Sequence, residues 1–124
     1  AVLPRDNNRV VELDRELAAA GIRRVALLAD ERSRAIKIQV DKDKIEVFSS
    51  SGEYGEAHET LDADYKGEPL QIGFNYQYLL DFLNVVGDAA KIRLELKDEQ
   101  SAGQLRPSNE EGLRYRYVIM PMRI

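Results

Sequence analysis

The 124-residue chain contains no cysteine and no tryptophan, and it has a single histidine. Without cysteine it can form neither a disulfide framework nor a thiolate metal site, and this composition is compatible with a reducing cytoplasm, where we expect the protein to reside. One histidine leaves no second imidazole for a histidine-based metal site or proton relay. We therefore expect neither a metal nor a cofactor.

Long apolar runs and an excess of positive charge are also lacking. The longest uninterrupted apolar stretch runs from Val25 to Ala29, far short of the roughly 20 residues of a membrane span. We expect no export signal, because no basic region followed by an apolar region is visible. Lys and Arg number 18 against 22 Asp and Glu, whereas proteins that grip nucleic acid tightly usually carry a basic excess. The acid-rich stretch from Asp41 to Glu68 is better suited to a basic protein surface.

The chain does contain enough apolar sequence for one domain with a core. Apolar residues make up 44% and charged residues 32% of the chain, as in ordinary globular domains of this length. We expect residues 1–124 to form a single domain. Glycine and proline within Lys66–Pro69 punctuate the middle. The chain on either side of this break reads as two similar halves, about 1–65 and 68–124.

The first half is predicted to be a helix followed by three antiparallel strands. Asp6 to Asn8 offer side-chain oxygens for an N-cap, and a helical spacing follows, which Gly21 interrupts before a second short helical stretch. The apolar positions of this pattern are Val10, Leu13, Leu17, Ala20, Ile22, Val25 and Leu28. The alternation of apolar and polar residues then predicts strands over 36–40, 45–47 and 57–65. A polar turn at 41–44 and a loop at 49–55 join them.

The second half repeats this order behind a leading strand over 70–74. Asn75 is a suitable N-cap for its helix, and Gly87 is a natural C-terminal stop. Alternation predicts three further strands, over 92–96, up to residue 105 and over 115–119, with a polar loop at 107–112. If Val2 and Leu3 form a short leading strand, both halves share one β-α-β-β-β plan. The predicted class is α+β, with both helices packed on one face of antiparallel sheets.

Candidate catalytic and metal-binding groups each have a simpler interpretation. His58 alternates with acids along a predicted strand, which is typical of a solvated surface residue. Asp62, Asp64 and Glu68 could offer oxygens to a divalent cation, but no glycine-containing cation loop surrounds them. Ser49–Ser51 have no histidine base nearby in the sequence, and no glycine-rich phosphate loop is present. We therefore predict that the chain is not an enzyme.

The segment Tyr117–Ile124 is apolar, whereas chain ends are normally polar and frayed. A final core strand would account for Tyr117 and Ile119 but not for the Met-Pro-Met that follows them. Proline cannot donate to a sheet ladder. Two methionines beside it make a soft apolar surface that suits varied partners. The segment is therefore either the end of a core strand or one wall of a partner-binding groove.

Three segments, in order along the whole chain, together resemble a known family. Tyr117–Ile124, with the sequence YVIMPMRI, is similar to the C-terminal signature of the bacterial DNA polymerase III β subunit, the sliding clamp. Residues 71–81, QIGFNYQYLLD, resemble the start of the second helix of its third domain, and Val2-Leu3-Pro4 resembles the start of that domain. The resemblance covers the last third of a clamp subunit. We therefore expect a third domain without the first two.

The resemblance implies a clamp-type domain, in which two helices line the inside of a ring and antiparallel sheets form its outside. Family members are homodimeric rings of six such domains. They slide along duplex DNA without sequence specificity and tether DNA polymerase III subunits, the clamp loader and repair proteins. The alternative hypothesis is a free-standing peptide-binding or assembly module that uses the same groove without a DNA role.

The resemblance also implies a peptide-binding pocket between the second and third domains, which takes a short hydrophobic motif of client proteins. Its third-domain wall would here comprise Val2, Asn75, Tyr78, Val118, Ile119, Met120, Pro121, Met122 and Arg123. Three positions depart from the family pattern. Ala1 replaces a rim arginine, Ser33 replaces a phenylalanine that borders the pocket, and Gln100 occupies a usually apolar position.

Ring closure and DNA contact are implied in the same way. The ring would close through Leu27 and Leu28, which resemble a hydrophobic interface pair, and through an acidic strand carrying Glu53, Glu56 and Glu59. Helical spacing with Val25 places Leu28 in the core, so Leu27 is the better interface candidate. The residues that could face duplex DNA are Arg9, Arg15, Arg23 and Arg24.

Overall fold

A computed structural model describes residues 8–29, 32–51, 55–86, 91–108 and 117–122. Within these ranges the chain forms one strand, one helix and three strands, and then repeats that order. The elements are β1 (Arg9–Asp14), α1 (Arg15–Ala26), β2 (Ala35–Asp41), β3 (Lys44–Ser51), β4 (Gly55–Asp62), β5 (Leu70–Asn75), α2 (Tyr76–Val85), β6 (Lys91–Leu96), β7 (Gly103–Pro107) and β8 (Tyr117–Ile119). The predicted α+β class and the duplicated β-α-β-β-β order are confirmed.

The leading strand of the first half is β1, where the sequence predicted the beginning of a helix. Val11 and Leu13 are buried on one side of this strand, while Val10 and Asp14 are exposed. The helix begins after Asp14, whose carboxylate accepts a hydrogen bond from the backbone N–H of Leu17 at 2.9 Å. The predicted N-cap at Asp6–Asn8 is therefore wrong, and the Val2–Leu3 strand lies outside the described residues.

Helix α1 runs without a break through Gly21, so the predicted interruption there is also wrong. A Cβ at Gly21 would lie 3.1 Å from the Leu61 side chain. The absence of a side chain lets α1 pack closely against β4, and this packing offsets the conformational cost of a glycine in a helix interior. The apolar positions on either side, Ile22 and Val25, continue the buried face of one helix.

Strand β3 continues to Ser51, through residues that the sequence predicted as the start of a polar loop. Ser49 is buried, and its hydroxyl donates a hydrogen bond to the backbone carbonyl of Val25 near the end of α1. Because the hydroxyl has a partner inside the fold, burial of this serine carries no unsatisfied polar group. Pairing of residues 49–51 with residues 55–57 of β4 extends the ladder.

The two halves exchange their leading strands. One four-stranded antiparallel sheet has the order β4-β3-β2-β5, and the other has the order β1-β6-β7-β8. Each sheet therefore contains three consecutive strands from one half and the first strand of the other. The predicted halves are interlocked by backbone hydrogen bonds, and neither forms a complete sheet alone.

Backbone bridges join the edges of the two sheets at both sides of the molecule. Glu12 of β1 and Asp64, just after β4, exchange two hydrogen bonds of 3.1 and 2.9 Å. On the other side the N–H of Met122, just after β8, donates to the carbonyl of Gly73 in β5 at 2.7 Å. In each half, the residues that follow the last strand thus return to the first strand of the same half.

Both helices and both sheets contribute to one apolar core. The two helices contact each other, α1 packs on β3 and β4, and buried residues of α2 join the same cluster. At the junction of the sheets, a Cβ on Gly103 would lie 3.1 Å from Leu96, 3.4 Å from Phe74 and 3.5 Å from Ile119. Neither helix in the described ranges is long and apolar enough to cross a membrane.

Candidate functional site

A cleft of about 490 Å³ lies where the segment after β8 crosses to the edge of β5. We call it the second-half cleft. It is lined by Gln71, Ile72, Gly73, Glu99, Gln100, Pro121 and Met122. The cleft thus combines residues from β5, from the turn between β6 and β7 and from the tail of β8, which are separated by up to about 50 positions in the chain.

The path of the tail, by which we mean the residues that follow β8, is explained by its sequence. Pro121 has no N–H to donate, so the sheet ladder ends beyond Ile119 and the chain leaves β7. The next residue, Met122, donates its N–H to the carbonyl of Gly73. The methionine and proline side chains are thereby fixed on the wall of the cleft.

A tight turn after β6 forms the polar rim of the second-half cleft. Asp98 Oδ1 accepts hydrogen bonds from the backbone N–H groups of Gln100 at 2.9 Å and Ser101 at 2.7 Å. These amides stabilise the ionised carboxylate and hold the pKa of Asp98 below its usual value. The turn places Glu99 and Gln100 beside Pro121 and Met122, so the rim is acidic and amide-bearing and the wall is apolar.

The residues of the predicted pocket wall occupy different environments. Pro121 and Met122 are half-buried and line the cleft, and Met120 beside them is 65% exposed. Val118 is half-buried in β8. Ile119 is only 2% exposed and belongs to the core, so its side chain stabilises the strand and does not face the cleft. Val2 and Arg123 lie outside the described residues.

Asn75 and Tyr78 lie at the beginning of α2, directly after the strand that carries Gly73. Asn75 Oδ1 accepts a hydrogen bond from the N–H of Gln77 at 2.8 Å, so this side chain caps the helix as the sequence predicted. Tyr78 is 50% exposed one turn later. Both are close to the cleft along the chain, although neither belongs to its lining.

Tyr117 of β8 packs against α2, the helix that begins after Asn75. Its ring packs against Phe82 of α2 with a centroid separation of 5.9 Å. Burial raises the pKa of the Tyr117 hydroxyl above its usual value, and the negative charge of Asp81 adds to this effect. The ring therefore remains neutral at physiological pH and ties the last strand to the second helix.

Sequence reasoning missed the β5 side of the cleft and the acidic rim. Gln71, Ile72 and Gly73 were interpreted only as a short strand, and Glu99 only as part of a turn. The one available signal was the isolated glycine at position 73, because a glycine inside a strand often marks the close approach of another backbone. Ser33, which departs from the family pattern, lies in a separate surface hollow with Phe48 and His58.

A second cleft, of about 450 Å³, lies at the other junction between the sheets. We call it the first-half cleft; it is lined by Asn8, Val10, Glu12, Asp64, Tyr65, Lys66, Gly67 and Arg93. Glu12 lies 3.4 Å from Arg93 and 3.8 Å from Lys91, and Lys66 lies 2.8 Å from Asp43. Among the described residues no group of three or more histidines, cysteines, aspartates or glutamates is placed to hold a metal ion.

Comparison with known protein families agrees with the resemblance found in the sequence. The family described as "DNA polymerase III beta subunit, C-terminal domain" matches residues 1–123. The chain belongs to this sliding-clamp family. The "Beta sliding clamp" of Caulobacter vibrioides is 37% identical over 123 residues, which cover 99% of this chain and 32% of that protein. The resemblance to the third domain of a clamp is thereby confirmed.

Solved structures of sliding clamps share the fold closely. The DNA polymerase sliding clamp of Pseudomonas aeruginosa, solved with a ligand, has a TM-score of 0.94 and 34% identity over 99% of this chain and 33% of its own. A second structure of a sliding clamp from that organism, bound to griselimycin, has a TM-score of 0.93 and 34% identity, over 99% of this chain and 32% of its own. The present chain spans about one third of the length of these clamps.

The residues predicted at the ring interface of the sliding-clamp family lie around α1 and β4. Leu27 is 79% exposed just beyond α1, whereas Leu28 is half-buried. Glu56 is exposed on β4, which lies at the end of its sheet in the described part of the chain. Glu59 of β4 accepts a hydrogen bond of 2.8 Å from Arg24 of α1, which holds the pKa of Glu59 below its usual value. Glu53 lies outside the described residues.

The four arginines proposed to face DNA are not equivalent. Arg9 lies on β1, not on a helix as predicted, and donates to the carbonyl of Lys97. Arg15 is largely buried and donates to the carbonyl of Leu83 at the end of α2. Arg24 is bound to Glu59, and Arg23 makes a long 3.4 Å contact with Asn84. Arg23 and Arg24 are the exposed members of the set.

Proposed function

We propose that this chain serves as the C-terminal domain of a DNA polymerase processivity factor. In this role two copies of a longer subunit form a ring around duplex DNA and tether polymerase, clamp-loader and repair proteins to it. Family membership supports the proposal, and so does the two-helix, two-sheet fold. The domain contributes binding surfaces and a rigid frame, so we infer a scaffolding function without catalysis.

Client proteins would bind at the second-half cleft. The observation that carries this proposal is the fixed Met-Pro-Met tail, which presents an exposed Met120 and a half-buried Met122 beside a cleft of about 490 Å³. Apolar side chains of a partly hydrophobic peptide would gain contact with Pro121 and Met122. The exposed ring of Tyr78 and the amide groups of Gln71 and Gln100 would contact its more polar parts.

The ring would close through β4 and Leu27. Leu27 is 79% exposed, and burial of its side chain against a partner would remove this apolar surface from water. Leu27 is the C-cap of α1, three residues after Arg24, which binds Glu59 of β4, so both lie on the side of the helix near β4. An apolar contact flanked by the acids of β4 would suit a partner surface with an apolar centre and a basic border.

DNA would be held by enclosure in the ring, and this domain would make few direct contacts with it. The net charge of −4 disfavours a tight contact with phosphates. Arg23 and Arg24 could make transient contacts, but Arg24 already binds Glu59. The domain alone encloses nothing, so its contribution to DNA binding depends on assembly.

The proposed client site is tested by NMR titration of the 124-residue chain with a Gln-Leu-Ala-Leu-Phe peptide. We expect a Kd of roughly 0.1–1 mM, because the second wall of the pocket is not part of this chain. Shifts should centre on Asn75, Tyr78 and the tail after β8. The substitution Met122→Ala should remove binding, whereas Leu17→Ala, which truncates an exposed side chain on α1, should not. Shifts that map to β4 would contradict the assignment.

A further inference from the structure

All the sulfur in the chain is in one short segment. The sequence has no cysteine and two methionines, and these are Met120 and Met122, on either side of Pro121. The thioether of methionine is soft and readily oxidised, and it is the only sulfur group available to oxidants here. Any oxygen transfer to sulfur within these 124 residues must therefore occur at the tail that borders the second-half cleft.

Both thioethers are placed where an oxidant can reach them. Met120 is 65% exposed, and Met122 is half-buried on the wall of an open cleft. We propose that Met120 and Met122 are oxidation sites, and that conversion to the sulfoxide closes the second-half cleft to apolar ligands. The inference rests on the proposed function, because it concerns the occupancy of that same cleft.

The chemical step needs a two-electron oxygen donor, and we take hydrogen peroxide as this reagent. A lone pair of the thioether sulfur attacks one peroxide oxygen, the O–O bond breaks and an S–O bond forms. The proton of the transferred oxygen passes to the departing hydroxide, which leaves as water. Sulfur loses two electrons and the peroxide gains them, so atoms and electrons balance. Methionine sulfoxide reductases can restore the thioether.

The oxidised side chains would alter the cleft without dismantling the fold. Neither methionine belongs to the buried apolar core. The tail is anchored through the backbone N–H of Met122 on Gly73, and this contact does not involve sulfur. A sulfoxide adds a strongly polar oxygen to a surface that would have to be desolvated by an apolar ligand, and burial of such a group without a donor is unfavourable.

The order of oxidation follows from exposure. Met120 should react first, because more than half of its surface is accessible, and Met122 should follow more slowly. Treatment of the chain with hydrogen peroxide, followed by proteolysis and mass spectrometry, would give the rate at each position from the added oxygen. Faster oxidation of Met122 than of Met120 would overturn the placement of the two sulfur atoms.

The effect on the cleft is measured by NMR titration with the Gln-Leu-Ala-Leu-Phe peptide before and after oxidation. We expect the Kd to rise at least about fivefold after both sites are oxidised, and to return after treatment with methionine sulfoxide reductases A and B. Unchanged affinity of the fully oxidised chain would overturn the inference and leave the proposed function intact. Failure of the reduced chain to bind would overturn the proposed function itself, together with the effect on binding.

A sulfur-free double variant, Met120→Leu with Met122→Leu, is the matched control. Leucine is apolar and similar in volume to methionine, so the variant should keep the fold, and its peptide affinity before peroxide treatment serves as its own baseline. Peroxide should then leave its peptide affinity unchanged. A peroxide-induced loss of affinity in this variant would mean that another group is responsible, and the assignment to methionine would be wrong.

Discussion

Glu12 of β1 and Gly73 of β5 lie at equivalent places in the two halves. Each lies two residues before a helix N-cap, Asp14 or Asn75, and each pairs with the residue that returns from the last strand of its half. The returning residues are Asp64 in the first half and Met122 in the second. A cleft of similar volume lies beside each bridge.

The side chains at these equivalent places differ between the two clefts. In the first-half cleft, Glu12 attracts Arg93 and Lys91, and the polar side chains satisfy one another. In the second-half cleft the position of Glu12 is taken by a glycine and that of Asp64 by a methionine, so an apolar side chain replaces the two carboxylates at this bridge. Duplication of a fold therefore supplies two scaffolds, and the side chains at each bridge set its charge.

Truncation of the residue just before each N-cap should give the largest effects and should show that the halves unfold together. Phe74 and Leu13 occupy this place, and both are buried. We expect Phe74→Ala to lower the free energy of unfolding by about 4 kcal/mol and Leu13→Ala by about 3 kcal/mol. Urea denaturation followed by NMR should show a single transition at sites in both halves, because the halves exchange strands. Separate transitions for the two halves would contradict this interlocking.

Exchange of Asp64 and Met122, the two residues that return to the first strand of their half, should show which cleft binds the peptide. Met122→Asp gives the second-half cleft the residue of the first, and a carboxylate on the apolar wall should weaken peptide binding at least about tenfold. The reciprocal Asp64→Met should leave peptide affinity unchanged, because the first-half cleft is not the proposed peptide site and still carries the charges of Glu12 and Arg93. NMR titration of both variants provides the measurement. Retained binding by Met122→Asp would place the peptide elsewhere.

Removal of the charge at Glu12 should have a smaller effect on stability. The variant Glu12→Gln loses its ion pairs with Lys91 and Arg93, whose side chains are 62% and 36% exposed. Partly exposed pairs of this kind contribute little, so we expect the free energy of unfolding to fall by about 0.5–1 kcal/mol. Urea denaturation at low and high salt provides the measurement, and the difference from wild type should shrink in high salt. A loss that is independent of salt would mean that packing, not charge, is the cause.

The smallest effects concern two carboxylates with a depressed pKa, one near each cleft. Backbone amides of Gln100 and Ser101 lower the pKa of Asp98, whereas the Lys66 ammonium lowers that of Asp43. Both folded values lie below the usual 3.8, so each group stabilises the fold above that pH and loses this contribution as the pH falls through the folded value. NMR titration of the carboxyl carbons should show that high salt raises the pKa of Asp43 more than that of Asp98. An equal response would contradict the distinction between charge and amide stabilisation.

Local patterns were sufficient where the partner of a residue is close in sequence. The second helix was predicted with its N-cap at Asn75 because the cap and the apolar face lie within one short stretch. The hairpin between β2 and β3 was predicted from the alternation on either side of the turn that contains Asp43, which adopts a positive φ of 62°. The family signature in the tail was also local, and it indicated the segment that lines the second-half cleft.

Local patterns failed where the deciding contact is distant. Val10, Leu13 and Leu17 have a helical spacing, but Val11 and Leu13 also alternate as in a strand. The pairing of β1 with β6, about 80 residues away, satisfies the backbone of 9–14 and decides in favour of the strand. Ile119 shows the reverse case, because its alternation with Tyr117 indicated a core strand whereas the family resemblance put it on the pocket wall, and its packing beside Gly103 places it in the core.

By itself, the sequence determined the fold class, the repeated order of elements in the two halves, and the apolar tail with its family signature. These features depend on the spacing of apolar residues and on caps and turns, which act over a few positions. Only the tertiary structure decided that the halves exchange strands, that Met122 returns to Gly73, and that ion pairs border one cleft while Pro121 and Met122 line the other. The reason is that backbone hydrogen bonds and close packing between distant segments become favourable only when the whole chain has folded.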